Sequence, residues 1–118
     1  MLAVITGATK GIGKAIAEAF AANGLDIIFC ARTLKDVTQT EKELQKKFPQ
    51  KKIKGVVCDV SRKNDLQKFA KEILARKKPI DVLVNNAGVF FSGKISTEKE
   101  GTLEKLIDVN VLFWYNDS

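Results

Sequence analysis

The fold is decided by the stretch Thr6-Gly7-Ala8-Thr9-Lys10-Gly11-Ile12-Gly13. The apolar residues 2–5 before it are typical of a buried strand, and the apolar periodicity of residues 12–20 is typical of a helix. The first N–H groups of a helix lack backbone partners, and the helix dipole favours negative charge beside them. A strand, a glycine turn and a helix N-terminus in this order therefore predict an anion site.

Each glycine of this stretch has a predicted role. Gly7 permits a tight turn, Gly11 has no side chain to block a pyrophosphate, and Gly13 lets the helix lie close to the strand. A glycine triplet alone is weak evidence, but the preceding strand and the following helix supply the context that the motif requires. A second block, Asn85-Asn86-Ala87-Gly88, follows the strand-like residues 82–84.

The two motifs, in this order, resemble the Thr-Gly-x-x-x-Gly-x-Gly and Asn-Asn-Ala-Gly signatures of the short-chain dehydrogenase/reductases, and the resemblance extends to about Val111. It implies an oxidoreductase that transfers hydride between a nicotinamide cofactor and a small carbonyl or alcohol substrate. It also implies a set of cofactor-binding residues: Gly7, Lys10, Gly11, Ile12, Gly13, Arg32, Asp59, Val60, Asn86, Ala87 and Gly88.

Alternating strand and helix patterns predict a Rossmann-like, doubly wound α/β fold with a parallel sheet. The expected strand order is 3-2-1-4, with a ligand crevice at the carboxyl ends of strands one and four. We expect one domain, residues 1–118, that is incomplete at its C-terminus. The predicted elements are strands 2–6, 26–30, 53–58 and 80–84, helices 11–23, 34–48 and 63–76, a loop containing Gly88 and Gly93, and a last helix from about Thr102.

Several single residues are predicted to bound these helices. Gly24 is a C-cap signal for the first helix, and Pro49 is expected to stop the second. Ser61 is the predicted N-cap of the third helix, with Asp65 in its first turn.

Arg32 follows the second predicted strand, where a dinucleotide fold often carries a carboxylate that binds the adenosine ribose. Its guanidinium is suited to phosphate instead. In the resembling family, basic residues at the positions of Lys10 and Arg32 mark a preference for NADP(H). The alternative is that Arg32 is an ordinary surface arginine in a turn.

The resemblance also implies roles after the third and fourth strands. The Asp59 side chain would accept a hydrogen bond from the adenine amine, and the backbone of Val60 would donate one. The alternative for Asp59 is an aspartate that only precedes a helix. Asn85 corresponds to a sheet-stabilising asparagine, whereas Ala87 and Gly88 would approach the cofactor ribose.

Asn110 is the only member of the family's four catalytic residues that the resemblance identifies, and the alternative is an exposed helical asparagine. No counterpart of the family's serine, tyrosine and lysine was found, and Tyr115 is given no role. We therefore expect the chain to be inactive alone. The alternatives to an enzyme are a non-catalytic nucleotide-binding fragment and a truncated product without activity. The apolar residues 111–115 would favour self-association, so a homo-oligomer is expected.

Composition narrows the class of protein. The net charge of +6 comes mainly from lysines, which we interpret as solvated helix surfaces. Nucleic-acid binding is not expected, because no aromatic platform accompanies the lysines. No apolar run approaches the roughly 20 residues of a membrane span, and no signal peptide is recognised, so the cytoplasm is the expected location. Cys30 and Cys58 are expected to be free buried thiols, and no metal site is expected.

Overall fold

A computed structural model describes residues 1–8, 11–85 and 88–91. Up to residue 85 the chain alternates strands and helices as predicted. The strands are β1 (Leu2–Thr6), β2 (Asp26–Ala31), β3 (Ile53–Val57), β4 (Val82–Asn85) and β5 (Gly88–Phe91), and the helices are α1 (Gly11–Ala22), α2 (Leu34–Lys47) and α3 (Lys63–Leu74). The predicted helix from about Thr102 lies outside the described residues.

The strands form one sheet in the order β3-β2-β1-β4-β5. The pairs β3–β2, β2–β1 and β1–β4 are parallel, which confirms the predicted fold class and the order 3-2-1-4. The prediction of a loop at Gly88 was wrong: residues 88–91 form β5, which pairs antiparallel with β4. The glycines and asparagines suggested a loop, but Val89, Phe90 and Phe91 have a high preference for strands.

Both faces of the sheet are buried, because the parallel crossovers place helices on either side. On one face, Leu2 and Val4 of β1 share a cluster with Phe69 and Ile73 of α3. On the other face, Ala3 and Ile5 of the same strand, together with Phe29 of β2, share a cluster with residues of α1 and α2. Continuous apolar strands thus supply side chains to both layers.

Gly55 of β3 allows α2 to approach the sheet. A Cβ atom at this position would lie 2.6 Å from a methyl carbon of Val37 in α2 and 2.7 Å from the ring of Phe29. The Gly55 N–H donates to Oε2 of Glu41, also in α2, at 2.7 Å. Helix α2 therefore packs on β3, and its Glu41 side chain also accepts a hydrogen bond from the backbone of that strand. No structural role was predicted for this glycine from the sequence.

The predicted helix ends are partly confirmed. Gly24 has φ 94°, and the Leu25 N–H donates to the carbonyl of Phe20, which closes α1 with a glycine cap. Helix α2 ends at Lys47, before Pro49, and Asp65 lies in the first turn of α3.

The predicted N-cap role of Ser61 was wrong. The N-cap of α3 is Arg62, whose side chain makes no capping hydrogen bond. The Ser61 hydroxyl donates instead to Oδ1 of Asp59, because the turn after β3 brings these two side chains together.

Helices α1 and α2 carry charges of both signs where they meet. The Lys47 ammonium lies 3.3 Å from Oε1 of Glu18, and Lys14 pairs with Glu43, so two ion pairs join α1 to α2. None of the helices in the described part of the chain is long and apolar enough to cross a membrane.

Candidate functional site

A cleft of about 730 Å³ opens at the carboxyl ends of β1, β2 and β3. Its size is within the range of pockets that hold a small organic ligand, roughly 300–1,000 Å³. Its wall is made by the last residues of each strand and the turns that follow: Thr6, Gly7, Cys30, Ala31, Arg32, Thr33, Asp36, Cys58, Asp59, Val60 and Ser61. The structure thus brings four of the predicted site residues together, namely Gly7, Arg32, Asp59 and Val60.

The glycine turn depends on a close approach between α1 and the end of β1. A Cβ atom on Gly13 would lie 2.2 Å from the carbonyl oxygen of Gly7, so only glycine fits there without a backbone shift. Gly7 has φ 73° and Gly11 has φ 56°, which are left-handed conformations that glycine adopts at little cost. Beyond its chain neighbours and its own helix, a Cβ atom on Gly11 would meet no described atom within 4 Å, so its conformation, and not crowding, favours glycine there.

Arg32 is exposed and follows directly after β2, which runs one residue further than predicted, to Ala31. The next residue, Thr33, is the N-cap of α2, and its Oγ1 accepts a hydrogen bond from the Asp36 N–H at 3.4 Å. The Arg32 guanidinium is therefore placed at the rim of the cleft by a strand end and a helix start.

Asp59 shows that the two interpretations of its sequence context are compatible. Its Oδ1 accepts from the Ser61 hydroxyl at 2.6 Å and from the Ser61 N–H at 3.0 Å, which fixes the turn towards α3. Its own N–H donates to Oδ2 of Asp65 at 3.1 Å. The same residue lines the cleft, so it stabilises the turn and also faces a possible ligand.

The pKa of the Asp59 carboxyl lies below its ordinary value. The two hydrogen bonds from Ser61 lower its pKa most, slight burial opposes them, and the positive charges of Arg32 and Arg62 add to the lowering. A charged acceptor and a guanidinium therefore lie near each other in the cleft.

The other predicted residues are placed only in part. Ile12 lies in the first turn of α1, and Gly88 begins β5 opposite Asn85 of β4. Lys10, Asn86, Ala87 and Asn110 lie outside the described residues. Among the described residues, no group of three or more histidine, cysteine or acidic side chains could hold a metal ion.

Some cleft residues were missed as site residues by sequence reasoning: Cys30, Ala31, Thr33, Asp36, Cys58 and Ser61. Thr33 and Asp36 have the Ser/Thr-x-x-Asp/Glu spacing of a helix start, which predicts their position just after β2. The contact of Ser61 with Asp59 follows the common two-residue spacing of aspartate turns.

Comparisons with known proteins agree with this architecture. The family model described as short chain dehydrogenase matches residues 1–116. A 2-dehydro-3-deoxy-D-gluconate 5-dehydrogenase of Pseudoalteromonas atlantica is 38% identical over 114 residues, which are 93% of this chain and 43% of that protein. The chlorophyll(ide) b reductase NOL of Oryza sativa is 33% identical over 92% of this chain and 32% of that protein. The chain therefore spans less than half the length of these relatives.

Two solved structures are similar in both fold and sequence. An NADPH-bound short chain oxidoreductase of Pseudomonas aeruginosa has a TM-score of 0.70 and 30% identity, covering 92% of this chain and 44% of that one. An L-sorbose reductase of Gluconobacter frateurii, in complex with NADPH and L-sorbose, has a TM-score of 0.68 and 33% identity. The match covers 85% of this chain and 37% of that one. The family model matches nearly the whole of this chain. Together with the two similar structures, this match shows that the chain belongs to the short-chain dehydrogenase family.

Proposed function

We propose that this chain is the cofactor-binding part of an NADP(H)-dependent oxidoreductase that acts on a small carbonyl or alcohol compound. When bound, the nicotinamide supplies or accepts the hydride. The proposal is supported by family membership and by the NADPH bound to two similar structures. The relatives are named for different substrates, so no single substrate is proposed.

The observation that carries the proposal is the shared cleft of Gly7, Arg32, Asp59 and Val60 at the carboxyl ends of three parallel strands. This is where open α/β sheets bind nucleotides. The residues fit the chemistry of the adenosine end of NADP(H). A guanidinium can bind the 2′-phosphate, and an ionised carboxylate can accept from the adenine amine.

We assign the 2′-phosphate to Arg32, with Lys10 as its second cation. The pyrophosphate is assigned to the glycine turn, Gly7, Gly11, Ile12 and Gly13, where α1 begins, because the first N–H groups of a helix have no partner within it. The adenine is assigned to Asp59 and to the backbone of Val60. The ribose nearer the nicotinamide is assigned to a second set of residues: Asn86, Ala87 and Gly88. Asn110 is proposed to take part in proton transfer.

Nucleotide binding without turnover is the second candidate. It is favoured by the chemistry of the cleft, because its described residues can hold phosphate and adenine but include no tyrosine or lysine that could exchange a proton with a substrate. A steady-state assay with NADPH and a panel of ketones separates the two candidates.

The two free thiols support a location in a reducing compartment such as the cytoplasm. Self-association remains a prediction, which gel filtration of the purified chain tests.

The proposal is tested by calorimetric titration of the purified chain with NADPH and then with NADH. We expect NADPH to bind at least about tenfold more tightly, since a charge-assisted bond to phosphate contributes roughly 1.5–3 kcal/mol. The variant Arg32→Glu should remove this preference. Arg76→Glu is the matched control, because Arg76 follows α3 at the opposite end of the sheet and does not line the cleft. A preference for NADH, or an equal loss in both variants, would contradict the assignment.

A further inference from the structure

Two thiols lie in the wall of the cleft and have no part in the proposed cofactor binding. Cys30 is 1% exposed and Cys58 is 2% exposed, and both are free. They are the only cysteines of the chain. Any intrachain disulfide must therefore join these two residues.

The sheet register brings the two side chains to the same face. Cys30 of β2 pairs with Val56 of β3, and Cys58 lies two residues further along. Since side chains two residues apart point to the same side of a strand, Cys30 and Cys58 are diagonal neighbours. Both belong to the cluster under α3, and each thiol shifts the pKa of the other.

We propose that Cys30 and Cys58 form a peroxide-sensitive thiol pair that closes to a disulfide and thereby weakens nucleotide binding in the cleft. The oxidation itself is independent of the function proposed above, whereas its effect on NADP(H) rests on that function. The pair would make cofactor binding respond to oxidants.

The chemistry needs only hydrogen peroxide as the oxidant. The sulfur of Cys58 attacks one oxygen of hydrogen peroxide, and an S–O bond forms as the O–O bond breaks. The products are a sulfenic acid on Cys58 and one water, which carries the thiol proton. The sulfur of Cys30 then displaces the hydroxyl group from the sulfenic acid, which forms the S–S bond and a second water. Two thiol hydrogens and two electrons have then passed to the peroxide.

The interaction between the two thiols favours Cys58 as the attacking sulfur. It lowers the pKa of Cys58, although burial and the nearby carboxylates of Asp65 and Asp59 oppose the lowering. It raises the pKa of Cys30, and burial raises it further. The thiolate is the nucleophile in this reaction, so the first step is assigned to Cys58.

Closing the disulfide must move the ends of the strands. Strands lie about 4.8 Å apart and rise about 3.3 Å per residue, so residues displaced by two positions across two strands have Cα atoms about 8 Å apart, whereas a disulfide usually needs about 4.4–6.8 Å. The displaced backbone would carry Arg32, two residues after Cys30, and Asp59, which follows Cys58 directly. These are the residues assigned to the 2′-phosphate and to the adenine.

The test uses the full chain, first reduced and then treated with hydrogen peroxide. Intact mass under denaturing, non-reducing conditions should show the loss of two hydrogens, no added oxygen and no free thiol for an alkylating reagent. Amide hydrogen exchange should change in residues 31–33 and 59–61. The affinity for NADPH should fall by about tenfold, the effect of one misplaced hydrogen bond to a charged group, and dithiothreitol should restore it.

The control variants Cys30→Ser and Cys58→Ser should keep their NADPH affinity when they are treated with peroxide. If either variant does not fold, recovery of affinity in the native chain after dithiothreitol treatment shows instead that the loss was due to a disulfide. Added oxygen without a disulfide, disulfide-linked dimers, or a disulfide with unchanged affinity would overturn the proposal. If the reduced chain does not bind NADPH, the proposed function fails. Mass and hydrogen exchange then decide alone whether the thiol pair closes and moves the cleft.

Discussion

At the amino end of the sheet, carboxylates bond to residues distant in sequence, whereas at the carboxyl end the Asp59 carboxylate bonds to a near neighbour. Asp81 Oδ2 accepts from the Leu2 N–H at 2.8 Å, and Asp26 Oδ1 accepts from the Lys52 N–H at 2.9 Å. Asp59 Oδ1 accepts only from Ser61 among the described residues.

We expect this sheet to separate stability from the proposed nucleotide binding. Side-chain bonds at the amino end join β1, β2 and the segments before β3 and β4, so breaking them should loosen the fold. The side-chain bonds of Asp59 at the carboxyl end shape one turn, beside polar groups that face the cleft. The following changes test this division, beginning with the one that should affect both properties.

Gly13→Ala should have the largest effect, because the new Cβ would lie 2.2 Å from the Gly7 carbonyl oxygen. Displacing α1 should cost about 3 kcal/mol of unfolding free energy, at the upper end for overpacking, despite the better helix propensity of alanine. NADPH affinity should also fall. Urea unfolding and calorimetry measure the two effects. The control Ala19→Gly, at an exposed position of the same helix, should lower the unfolding free energy by only about 1 kcal/mol. If Gly13→Ala lowered it by less than this control, the close approach of Gly13 to the Gly7 carbonyl would be contradicted.

Asp81→Ala should lower the unfolding free energy by about 1–3 kcal/mol, because the buried Leu2 N–H loses its acceptor. NADPH affinity of the folded protein should remain unchanged. The control Asp81→Asn retains a side-chain oxygen and should lose less in urea unfolding. If Asp81→Ala weakens NADPH binding without reducing stability, the proposed division between the two ends is wrong.

Thr33→Ala should cost about 0.5–1 kcal/mol, the lower range for loss of an N-cap, since its bond to the Asp36 N–H is 3.4 Å long. Thermal unfolding gives the stability change, and Thr33→Ser should preserve most of the cap. Because Thr33 lines the cleft, a larger change in NADPH affinity than in stability would strengthen the distinction between the two ends.

Acid should reveal the smallest effect, through Asp26. Partial burial raises the pKa of its carboxyl, but the Lys52 N–H and the charges of Lys78 and Lys51 together hold it below its ordinary value. A lowered folded-state pKa gives stability that is full above the unfolded-state value, about 3.9, and is lost as pH falls through the folded-state pKa. Urea unfolding at pH values from 7 to about 2 should therefore show that the native chain has a higher unfolding free energy than Asp26→Asn at neutral pH, and that this difference disappears in acid. A constant difference would exclude ionisation as its cause.

The order of β1 to β4 could be predicted because each is an apolar run, helical patterns separate them, and the glycine motif fixed the first crossover. Strand β5 was missed because its short apolar segment, residues 89–91, lies between glycines. The position of Ser61 was misjudged because a serine just before a helix can cap it or can bond to a preceding aspartate, and only the turn geometry decides.

The meeting of Gly7, Arg32 and Asp59 at one cleft was predictable, because each follows the carboxyl end of its own strand. The thiol contact between Cys30 and Cys58 was not, because it depends on the pairing of Cys30 with Val56 across two strands. A sequence places each cysteine near a strand end but does not give the register that makes them neighbours.

The contact between Glu41 and Gly55 has a consequence for the behaviour of the protein in concentrated solution. Strand β3 ends the order of the described sheet, and such a strand can template the addition of a foreign strand. The Glu41 carboxylate already occupies the Gly55 N–H, so an incoming chain would have to displace a charged acceptor before it could pair there. One side chain of α2 thus protects the protein against growth into ordered aggregates along that strand.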